Sequence, residues 1–597
     1  MNRTLWQAGG FALGFALAGL ILWMLLGASD APEDAASFEA RVDLRPLDRA
    51  AVYHRGRLKS FDSFAYEVTR MISGRGGVPA PAAGTDEGGE LERLRADYAY
   101  LDLMIRPDRY DGAPILHVRK KPMRATLARA LETGGVFSAE ESARFVETGL
   151  ISERTLRTGP AERILGAWSR DLVRTKKFVD ELDLSLALSR PEFLEDGLRL
   201  IPPPTGDEET PWLTPSELWP PEEGEPRTAA HDLGASIDED VRRGLQSSWA
   251  RFVNAWRAED AAGASAALAE FCARAPDVAP GLYPSSTQMH LQSLYFKAKY
   301  LVWVWLVYLL AVLALLMAVA FKWDGARWLG LGLFASALVM QTGALVLRWY
   351  ISGRWPNSNM FEAVTTSVWF GAIIAVVLEA VGRRTPLRNL FAIGAGVASM
   401  AAMMSAQFIP KLDPTINNMM PILHDLWLYI HTNTIIASYA LIAMAAVTAG
   451  IYLVRRFFGS PPEHASAGGT GMLLAGSAGE GGDVVVRPSG ARRRVGLGEV
   501  LDGATLVMME LSFVMLWAGI VMGAIWADHS WGRPWGWDPK EVFALNTFIV
   551  FAVLIHVRMK TRDKGLWTAL LAVVGCGVML FNWIVINFVI AGLHSYA

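Results

Sequence analysis

The chain has 597 residues, of which 52% are apolar and 19% are charged, and its formal net charge is −3. Its mean hydropathy of +0.25 excludes a purely soluble protein, and its charged fraction excludes a chain that lies wholly in a membrane. Because no long tract rich in Lys and Arg accompanies the near-neutral charge, no nucleic-acid partner is expected. The composition therefore predicts membrane spans combined with a sizeable polar domain.

Nine apolar runs are long enough to cross a bilayer as helices. They cover approximately residues 5–27, 299–321, 327–347, 361–381, 388–409, 427–454, 501–526, 541–558 and 566–592. The predicted fold is an all-α polytopic membrane protein with about nine transmembrane helices. The first run has no charge between Arg3 and Asp30, which is longer than the roughly 7–15 apolar residues of a signal peptide. Residues 1–27 are therefore predicted to be an uncleaved transmembrane anchor.

Residues 28–297, between the first two spans, are numerous enough to form a core of their own. Apolar residues recur with a helical period over 234–275, whereas 79–91 and 202–226 are rich in Pro, Gly and acidic residues and are predicted to be loops or linkers. We therefore expect a mostly helical extracytoplasmic domain. Its sequence indicates no chemistry, so a structural role and a partner-binding role both stay open.

Residues 298–597 are predicted to form an eight-helix membrane domain, whose orientation follows from Lys and Arg in its short connections. The connections after spans four, six and eight are basic, and they fall on one side if the spans alternate. That side is predicted to be the cytoplasm. Residues 459–499 lie there, are rich in Gly, Ala and Ser, and are predicted to be a disordered loop. The domain 28–297 and the connection 526–541 then face outward.

The two cysteines of the chain, Cys272 and Cys576, are predicted to lie in the outer domain and in the last span, where they cannot pair. The sequence contains no Cys-x-x-Cys-His motif and no dithiol redox motif. The protein is therefore not itself a c-type cytochrome.

The connection 526–541, here called the tryptophan loop, is dense in aromatic rings: residues 531–541 read Trp-Gly-Arg-Pro-Trp-Gly-Trp-Asp-Pro-Lys-Glu. Such rings anchor at a membrane interface, and they also stack on planar apolar ligands. Gly532 and Gly536 allow close approach of the backbone, and two prolines stiffen the turn. An aromatic belt is the simpler interpretation, but the density of rings and the pair Asp538 and Glu541 favour a binding platform.

This loop resembles the WWD signature of the haem-handling proteins of cytochrome c biogenesis. The pattern Trp-Gly-x-x-Trp-x-Trp-Asp-x-x-Glu is formed here by Trp531, Gly532, Trp535, Trp537, Asp538 and Glu541. The segment from Arg348 through Gly353-Arg-Trp-Pro-Asn-Ser-Asn-Met-Phe-Glu362 is similar to that family as well. The resemblance covers roughly residues 297–597, and its nearest branch is the CcsA (ResC) type, a component of the system II cytochrome c synthase.

The resemblance implies a function at the outer face of a bacterial-type inner (cytoplasmic) membrane. It implies haem export or presentation, and covalent attachment of haem to the Cys-x-x-Cys-His motifs of apocytochrome c, which is holocytochrome c synthase (haem lyase) activity. Haem b would be the bound substrate. The implied partners are apocytochrome c, a CcsB/ResB-type subunit, a thiol-reducing system and membrane lipid. Because apocytochrome c supplies the thiols, no catalytic residue is predicted in this chain.

Three histidines occur where the family has haem ligands, and imidazole is a common axial ligand of haem iron. His431 begins span six and His594 ends span nine, so both are expected at the outer boundary, where they would bracket one haem. The alternative is that they are merely solvated at the interface. His556 follows Glu541 by fifteen residues, about 22 Å along a helix. It is expected near the inner side, either as a haem ligand or packed beside Arg558.

Arginines are the candidates for haem propionates, because an Arg fork suits a carboxylate. Arg348 and Arg533 are the main candidates, and Arg354 and Lys540 are others. His424, His529 and His290 are weaker ligand candidates. The predicted haem-contacting residues are therefore Trp531, Gly532, Arg533, Trp535, Gly536, Trp537, Asp538 and Glu541 of the loop, with His431, His556, His594 and Arg348 outside it.

Three other functions remain open. One is a haem-transfer subunit without synthase activity. Another is a b-type haem protein of electron transfer, although such proteins normally place two His pairs across a bundle core. The third is a solute transporter, which would favour broken helices near the midplane of the membrane.

Overall fold

The computed structural model describes residues 3–27, 37–81, 91–172, 174–221, 228–384, 387–409, 412–416, 418, 423, 425–465, 484–486, 492–494 and 496–586. The chain forms two compact units. Met1–Ser29 and Lys297–Ala597 form the membrane unit, and Asp30–Phe296 forms the extramembrane unit.

The extramembrane unit is mostly helical and follows the N-terminal helix α1 (Arg3–Gly27). Its helices are α2 (Phe38–Arg41), α3 (Arg45–Asp48), α4 (Phe61–Ser73), α5 (Ala96–Ile105), α6 (Lys121–Thr133), α7 (Ala139–Thr148), α8 (Glu153–Leu156), α9 (Gly159–Arg170), α10 (Lys176–Leu188), α11 (Pro191–Gly197), α12 (Ala229–Ala235), α13 (Glu239–Arg257), α14 (Ala261–Arg274) and α15 (Ser286–Lys297). Three antiparallel strand pairs accompany them: β1 (Ala51–His54) with β2 (Arg57–Ser60), β3 (Pro79–Pro81) with β4 (Leu91–Arg93), and β5 (Leu116–His117) with β6 (Leu150–Ile151).

The core of the extramembrane unit encloses the carboxylate of Asp102 on α5. This group accepts hydrogen bonds from Arg109 at 2.9 Å, Tyr110 at 2.9 Å and Trp256 at 3.0 Å, and it forms an ion pair with Arg106. Burial raises the pKa of Tyr110 well above its ordinary value, so the phenol stays a donor. A buried carboxylate is tolerated because of such partners.

The periodic segment 234–275 forms two main helices, α13 and α14, so its predicted helical period is present in the structure. Glu259 has a positive φ of 56° in the turn between them. Asp260 then begins α14, because its carboxylate accepts the backbone N–H of Gly263 at 3.0 Å. In the predicted linker 79–91, residues 79–81 are strand β3, which pairs with β4.

Eight helices among the described residues are long and apolar enough to cross a membrane, and the predicted all-α polytopic fold is confirmed. The corresponding α-helices are α16 (Trp305–Phe321), α17 (Asp324–Ser352), α18 (Met360–Gly382), α19 (Leu390–Phe408), α20 (Leu426–Phe457), α21 (Leu497–Trp531), α22 (Pro539–Lys560) and α23 (Lys564–Phe581). A 3₁₀ turn, Lys299–Val304, precedes α16, and a π-turn, Asn582–Ile586, follows α23. The first predicted span corresponds to α1, whose apolar part, Ala8–Met24, is shorter than the other spans.

The segment predicted to be a disordered loop, 459–499, is ordered at both of its ends. Glu463 accepts hydrogen bonds from Arg455 at 2.9 Å and from the N–H of Gly498 at 2.6 Å, and the Arg455 hydrogen bond lowers its pKa. Asp502 forms a bidentate ion pair with Arg558 and accepts the N–H of Ala465 at 2.7 Å. These contacts tie the ends of α20, α21 and α22 together. Within the segment, β7 (Val484–Val486) pairs with β8 (Arg492–Arg494).

Helix α1 packs against α17 through glycines that bring the two backbones into contact. A Cβ atom on Gly14 would lie 2.7 Å from the backbone N of Leu333, and one on Gly332 would lie 2.4 Å from the carbonyl O of Phe11. Neither position can accept a side chain unless the helices separate. Small residues at four-residue spacing are the usual means of close helix packing in membranes.

We expect Gly14→Leu to weaken the packing of α1 on α17, because its side chain would meet backbone atoms that cannot give way. Overpacking of this kind costs about 1–3 kcal/mol. The matched control is Gly19→Leu on the same helix, where a Cβ meets no atom within 4 Å. Thermal unfolding in detergent should show a lower Tm for the first variant alone. An equal Tm for both variants would contradict the packing role of Gly14.

Candidate haem-binding site

The predicted connection 526–541 is shorter in the structure, because residues 526–531 are the end of helix α21 and residues 539–541 begin helix α22. Residues 532–538 of the tryptophan loop form a seven-residue turn between these two long helices. Helix α21 ends at Trp531, where Gly532 adopts a left-handed φ of 66° and donates its N–H to the carbonyl of Asp528 at 2.8 Å. Glycine is favoured there because a side chain would be strained. Helix α22 begins at Pro539, after the cap residue Asp538. The turn is therefore defined by local hydrogen bonds on both sides.

Both carboxylates of the motif build this turn. Glu541 accepts the backbone N–H of Gly536 at 2.8 Å and of Asp538 at 3.1 Å, and Asp538 accepts the N–H of Lys540 at 3.1 Å. This reciprocal arrangement is a capping box. In this structure the two carboxylates shape the backbone that carries the rings. Their direct contact with a ligand stays a prediction.

The tryptophans differ in exposure. Trp537 is 71% exposed and has a positive φ of 56°, Trp531 is 39% exposed, and Trp526 is buried. Trp535 is partly buried and meets Trp537 edge to face, with ring centroids 5.9 Å apart. A bulky residue at positive φ is costly, and such strain is often found at binding sites. Trp537 and Trp531 are therefore the rings best available to a planar ligand.

Two other predicted loop residues lie beside each other. Arg533 is exposed, and a Cβ on Gly536 would lie 3.3 Å from its guanidinium. The absence of a side chain at Gly536 lets the guanidinium approach the backbone. Arg533 is an exposed cation of the same turn, where it can meet an anionic group.

His431 packs against helix α21 through a glycine face. Its Nδ1 lies 2.7 Å from the carbonyl O of Gly519, and because a carbonyl only accepts, Nδ1 carries the proton. The lone pair of the neutral ring is then on Nε2, the arrangement typical of a metal-binding histidine. A Cβ on Gly523 would lie 2.6 Å from Cε1 of the ring, so only glycine fits there. Gly523 precedes Trp531 by eight residues, about 12 Å along the helix.

The residues that follow His431 are held by the turn between α17 and α18. Trp355 donates its indole N–H to the side chain of Asn433 at 3.0 Å, and Asn357 donates to Thr432 at 2.8 Å. These bonds join positions more than seventy residues apart in the chain. They fix the first turns of α20, and therefore the position of His431.

Arg348 belongs to the support of that same turn. It is 2% exposed, and its Nε donates to Glu362, which is fully buried, at 2.8 Å. Another nitrogen of its guanidinium donates to the carbonyl of Pro414 at 2.8 Å. Arg354 forms a second ion pair with Glu362 at 3.0 Å. The contact of Arg348 with a haem propionate stays a prediction, and here its donors are used within the protein.

The other predicted ligands are placed differently. His556 is exposed on α22, and its Nδ1 donates to the carbonyl of Ala552 at 2.8 Å, which again leaves the lone pair on Nε2. Arg558 is paired with Asp502. His594 and His424 lie outside the described residues. His529 is exposed in the last turn of α21, and His290 belongs to the extramembrane unit.

The structure thus brings His431 against the helix that ends in the tryptophan loop. Sequence reasoning singled out the segment of Trp355, Asn357 and Glu362 but predicted no role for it in orienting this histidine, and it missed Thr432, Asn433, Gly519 and Gly523. The spacing Gly519-x-x-x-Gly523 was the available signal, since it marks close helix packing. The other contacts join distant parts of the chain and have no local pattern.

Comparison with known proteins points to one family. A family model described as "Cytochrome C assembly protein" matches residues 357–594, within the membrane unit. The chain is 34% identical to the cytochrome c biogenesis protein CcsA of Thermosynechococcus vestitus over 269 residues, which is 43% of this chain and 82% of the relative. It is 29% identical to CcsA of Gloeobacter violaceus over 48% of this chain and 94% of the relative. It is 32% identical to CcsA of Parasynechococcus marenigrum over 44% of this chain and 85% of the relative.

We expect Glu541→Gln to preserve the tryptophan loop, because Gln also completes a capping box, and Glu541→Ala to destabilise it. The loss of a cap costs about 0.5–2 kcal/mol. Limited proteolysis of the loop would measure the difference, and Glu132→Ala, an exposed glutamate of α6, serves as a control. If Glu541→Gln opened the loop as much as Glu541→Ala, a charge-dependent role would replace the capping role.

Gly523→Ala should displace the ring of His431, because the added Cβ would lie within 2.7 Å of two ring atoms. The matched control is Gly577→Ala on α23, where a Cβ meets no atom within 4 Å. We expect the first variant to change the visible spectrum of bound haem, or to reduce the yield of cytochrome c, at normal expression. Wild-type spectrum and yield in Gly523→Ala would exclude the close fit described for His431.

Proposed function

Because this chain belongs to the CcsA family of cytochrome c biogenesis proteins, we propose that it holds haem beside the tryptophan loop and presents it for covalent attachment to apocytochrome c. The family assigns the chain to cytochrome c biogenesis, and its apolar helices assign it to a membrane. The proposal adds which residues bind haem, that haem is attached covalently to apocytochrome c, and that this takes place at the outer face of the membrane.

One observation carries the proposal. His431 donates from Nδ1 to the carbonyl of Gly519, so its Nε2 has the lone pair needed for an axial bond to haem iron. Gly519 belongs to α21, the helix that leads into the tryptophan loop. His431 is the proposed ligand on one side of the iron and His594 the proposed ligand on the other.

The loop would hold the porphyrin by its flat surface. The exposed rings of Trp537 and Trp531 suit stacking on a planar apolar group, worth about 0.5–1.5 kcal/mol for each aromatic pair. The capping box of Asp538 and Glu541 keeps the backbone on both sides of Trp537 in place. Arg533 is the exposed cation available to a propionate.

The chemical step needs positioning rather than a catalytic nucleophile. Each cysteine thiol of apocytochrome c adds across one haem vinyl group, which forms one C–S bond and one C–H bond and breaks the S–H bond and the C=C π bond. No electrons are gained or lost overall. The substrate therefore supplies the nucleophile, and a thiol-reducing system is needed only to keep its cysteines reduced. The histidine of the Cys-x-x-Cys-His motif would replace one axial ligand as the product leaves.

The proposed orientation follows from charge. The connections between α18 and α19, after α20, and between α22 and α23 are rich in Arg and Lys, which favours a cytoplasmic location. The tryptophan loop is then outside, in a bacterial-type inner membrane. His556 lies toward the opposite end of α22, and only 18% of the apolar part of this helix is buried within the chain. A CcsB/ResB-type subunit is the proposed partner for that side.

The visible spectrum of the purified protein, with and without co-expressed apocytochrome c, tests the function. We expect non-covalent b-type haem in the protein alone and covalently attached haem in the co-expressed product. A preparation from haem-replete cells that lacks haem and cannot bind added haem would rule the proposal out. Bound haem without any attached product would instead favour a transfer subunit.

We expect His431→Gly and His594→Gly each to lose cytochrome c production, and added imidazole to restore part of it. Removal of an axial imidazole leaves an open iron position that free imidazole can fill, whereas imidazole cannot repair a broken fold. The matched control is His464→Gly, an exposed histidine of the connection after α20. If both ligand variants keep wild-type spectra and yield, the axial assignment fails.

A further inference from the structure

The turn between α9 and α10 presents the most exposed large apolar side chain of the described extramembrane unit. Leu172 is 74% exposed at the tip of this turn. The turn is held by hydrogen bonds, because Thr175 donates to the carbonyl of Trp168 at 2.7 Å and Asp171 accepts the N–H of Arg174 at 3.0 Å. An exposed leucine on a hydrogen-bonded tip is not explained by the packing of the domain.

Exposed cations surround this leucine. Arg170, Arg174 and Lys177 are exposed, and among the described residues no ion pair joins any of them to a carboxylate. Lys176 forms an ion pair with Asp180 at 2.7 Å, so it contributes less to the positive charge around Leu172. An apolar tip flanked by unpaired cations has the composition of segments that enter the interface of an anionic membrane.

The positive charge extends along α9. Arg163 and Arg170 are seven residues apart and therefore lie on the same face of the helix. Arg163 and Arg129 of α6 line a shallow groove of about 420 Å³, which Thr126 borders as well. Neither arginine has a carboxylate partner among the described residues. Guanidinium groups suit phosphate because they offer two parallel donors.

The charge of the extramembrane unit is divided unequally. Residues 117–177 contain 13 Lys and Arg against 7 Asp and Glu, whereas residues 178–297 contain 9 against 21. The tip and the groove both lie in the basic part. The chain of this unit continues into apolar helices at both of its ends.

We propose that the α9–α10 tip binds the surface of a membrane that contains anionic phospholipid, with Leu172 entering the interface and Arg170, Arg174 and Lys177 contacting lipid phosphates. Arg163 and Arg129 extend this surface for further headgroups. The contact would hold the extramembrane unit at the membrane by a third point, in addition to its two chain connections. This membrane contact does not depend on haem binding.

The test uses the full-length protein in lipid nanodiscs, with Cys272 and Cys576 replaced by alanine. Ser169→Cys, next to the tip, carries an environment-sensitive fluorophore, and lipids with brominated acyl chains quench it on contact. We expect quenching in discs that contain phosphatidylglycerol and much less in discs of phosphatidylcholine alone. High salt should reduce the quenching, because it screens exposed charges.

Three variants make the test specific. Leu172→Asp and the triple reversal Arg170→Glu, Arg174→Glu, Lys177→Glu should each abolish the quenching. Arg257→Glu, an exposed arginine in the acidic part of the unit, should leave it unchanged. A fluorophore on Asp240→Cys reports the background. The proposal is overturned by absent quenching in anionic discs, by equal quenching in both kinds of disc, or by a signal at position 240 as large as at position 169.

Discussion

The fully buried carboxylate of Glu362 is the interaction on which the proposed haem site depends. It forms ion pairs with Arg348 at 2.8 Å and Arg354 at 3.0 Å, and it accepts the N–H of Ser358 at 2.7 Å. Loss of one partner from such a group leaves a buried charge uncompensated, which costs about 3–5 kcal/mol. The cluster closes the turn that presents Trp355 and Asn357 to the first turns of α20. The position of His431 therefore depends on charges of α17, α18 and the turn between them.

Close packing gives the second constraint on this histidine. Gly519 supplies the carbonyl that fixes its protonated nitrogen, and Gly523 leaves the space that its ring occupies. A larger residue at either position would force a side chain of α20 to move, since a Cβ on Gly519 would lie 2.5 Å from the end of the Ile435 side chain and one on Gly523 would lie 2.6 Å from the His431 ring. His431 is thus held in one orientation before any ligand arrives. A ligand group that is already oriented loses little freedom on binding.

Most of the fold could be predicted from the sequence, because hydropathy and length report membrane spans directly. The site could be predicted only in part. The pair Asp538 and Glu541 suggests part of a binding platform, but Asp-x-x-Glu before a helix is also the local pattern of a capping box, which is what the structure contains. The contact of His431 with Gly519 joins residues 88 positions apart, and no local pattern encodes it. The order of 459–465 was missed for the same reason, because it depends on the contacts of Glu463 and Ala465 with distant residues.

Helix α20 is bound to neighbouring segments near both of its ends, which limits how it could move while haem passes through the protein. Near its start, Thr432 and Asn433 are bound to the α17–α18 turn, and near its end Arg455 is bound to Glu463. These two anchor regions are separated by about 33 Å of helix, which exceeds the roughly 30 Å hydrocarbon thickness of a bilayer. Sliding of α20 to carry a ligand across would break both sets of contacts. If His556 on α22 also binds haem, as the resemblance of the sequence to the CcsA family implies, haem must leave one histidine before the other receives it. The anchoring of α20 therefore favours a His431 that stays in place over one that is carried by a moving helix.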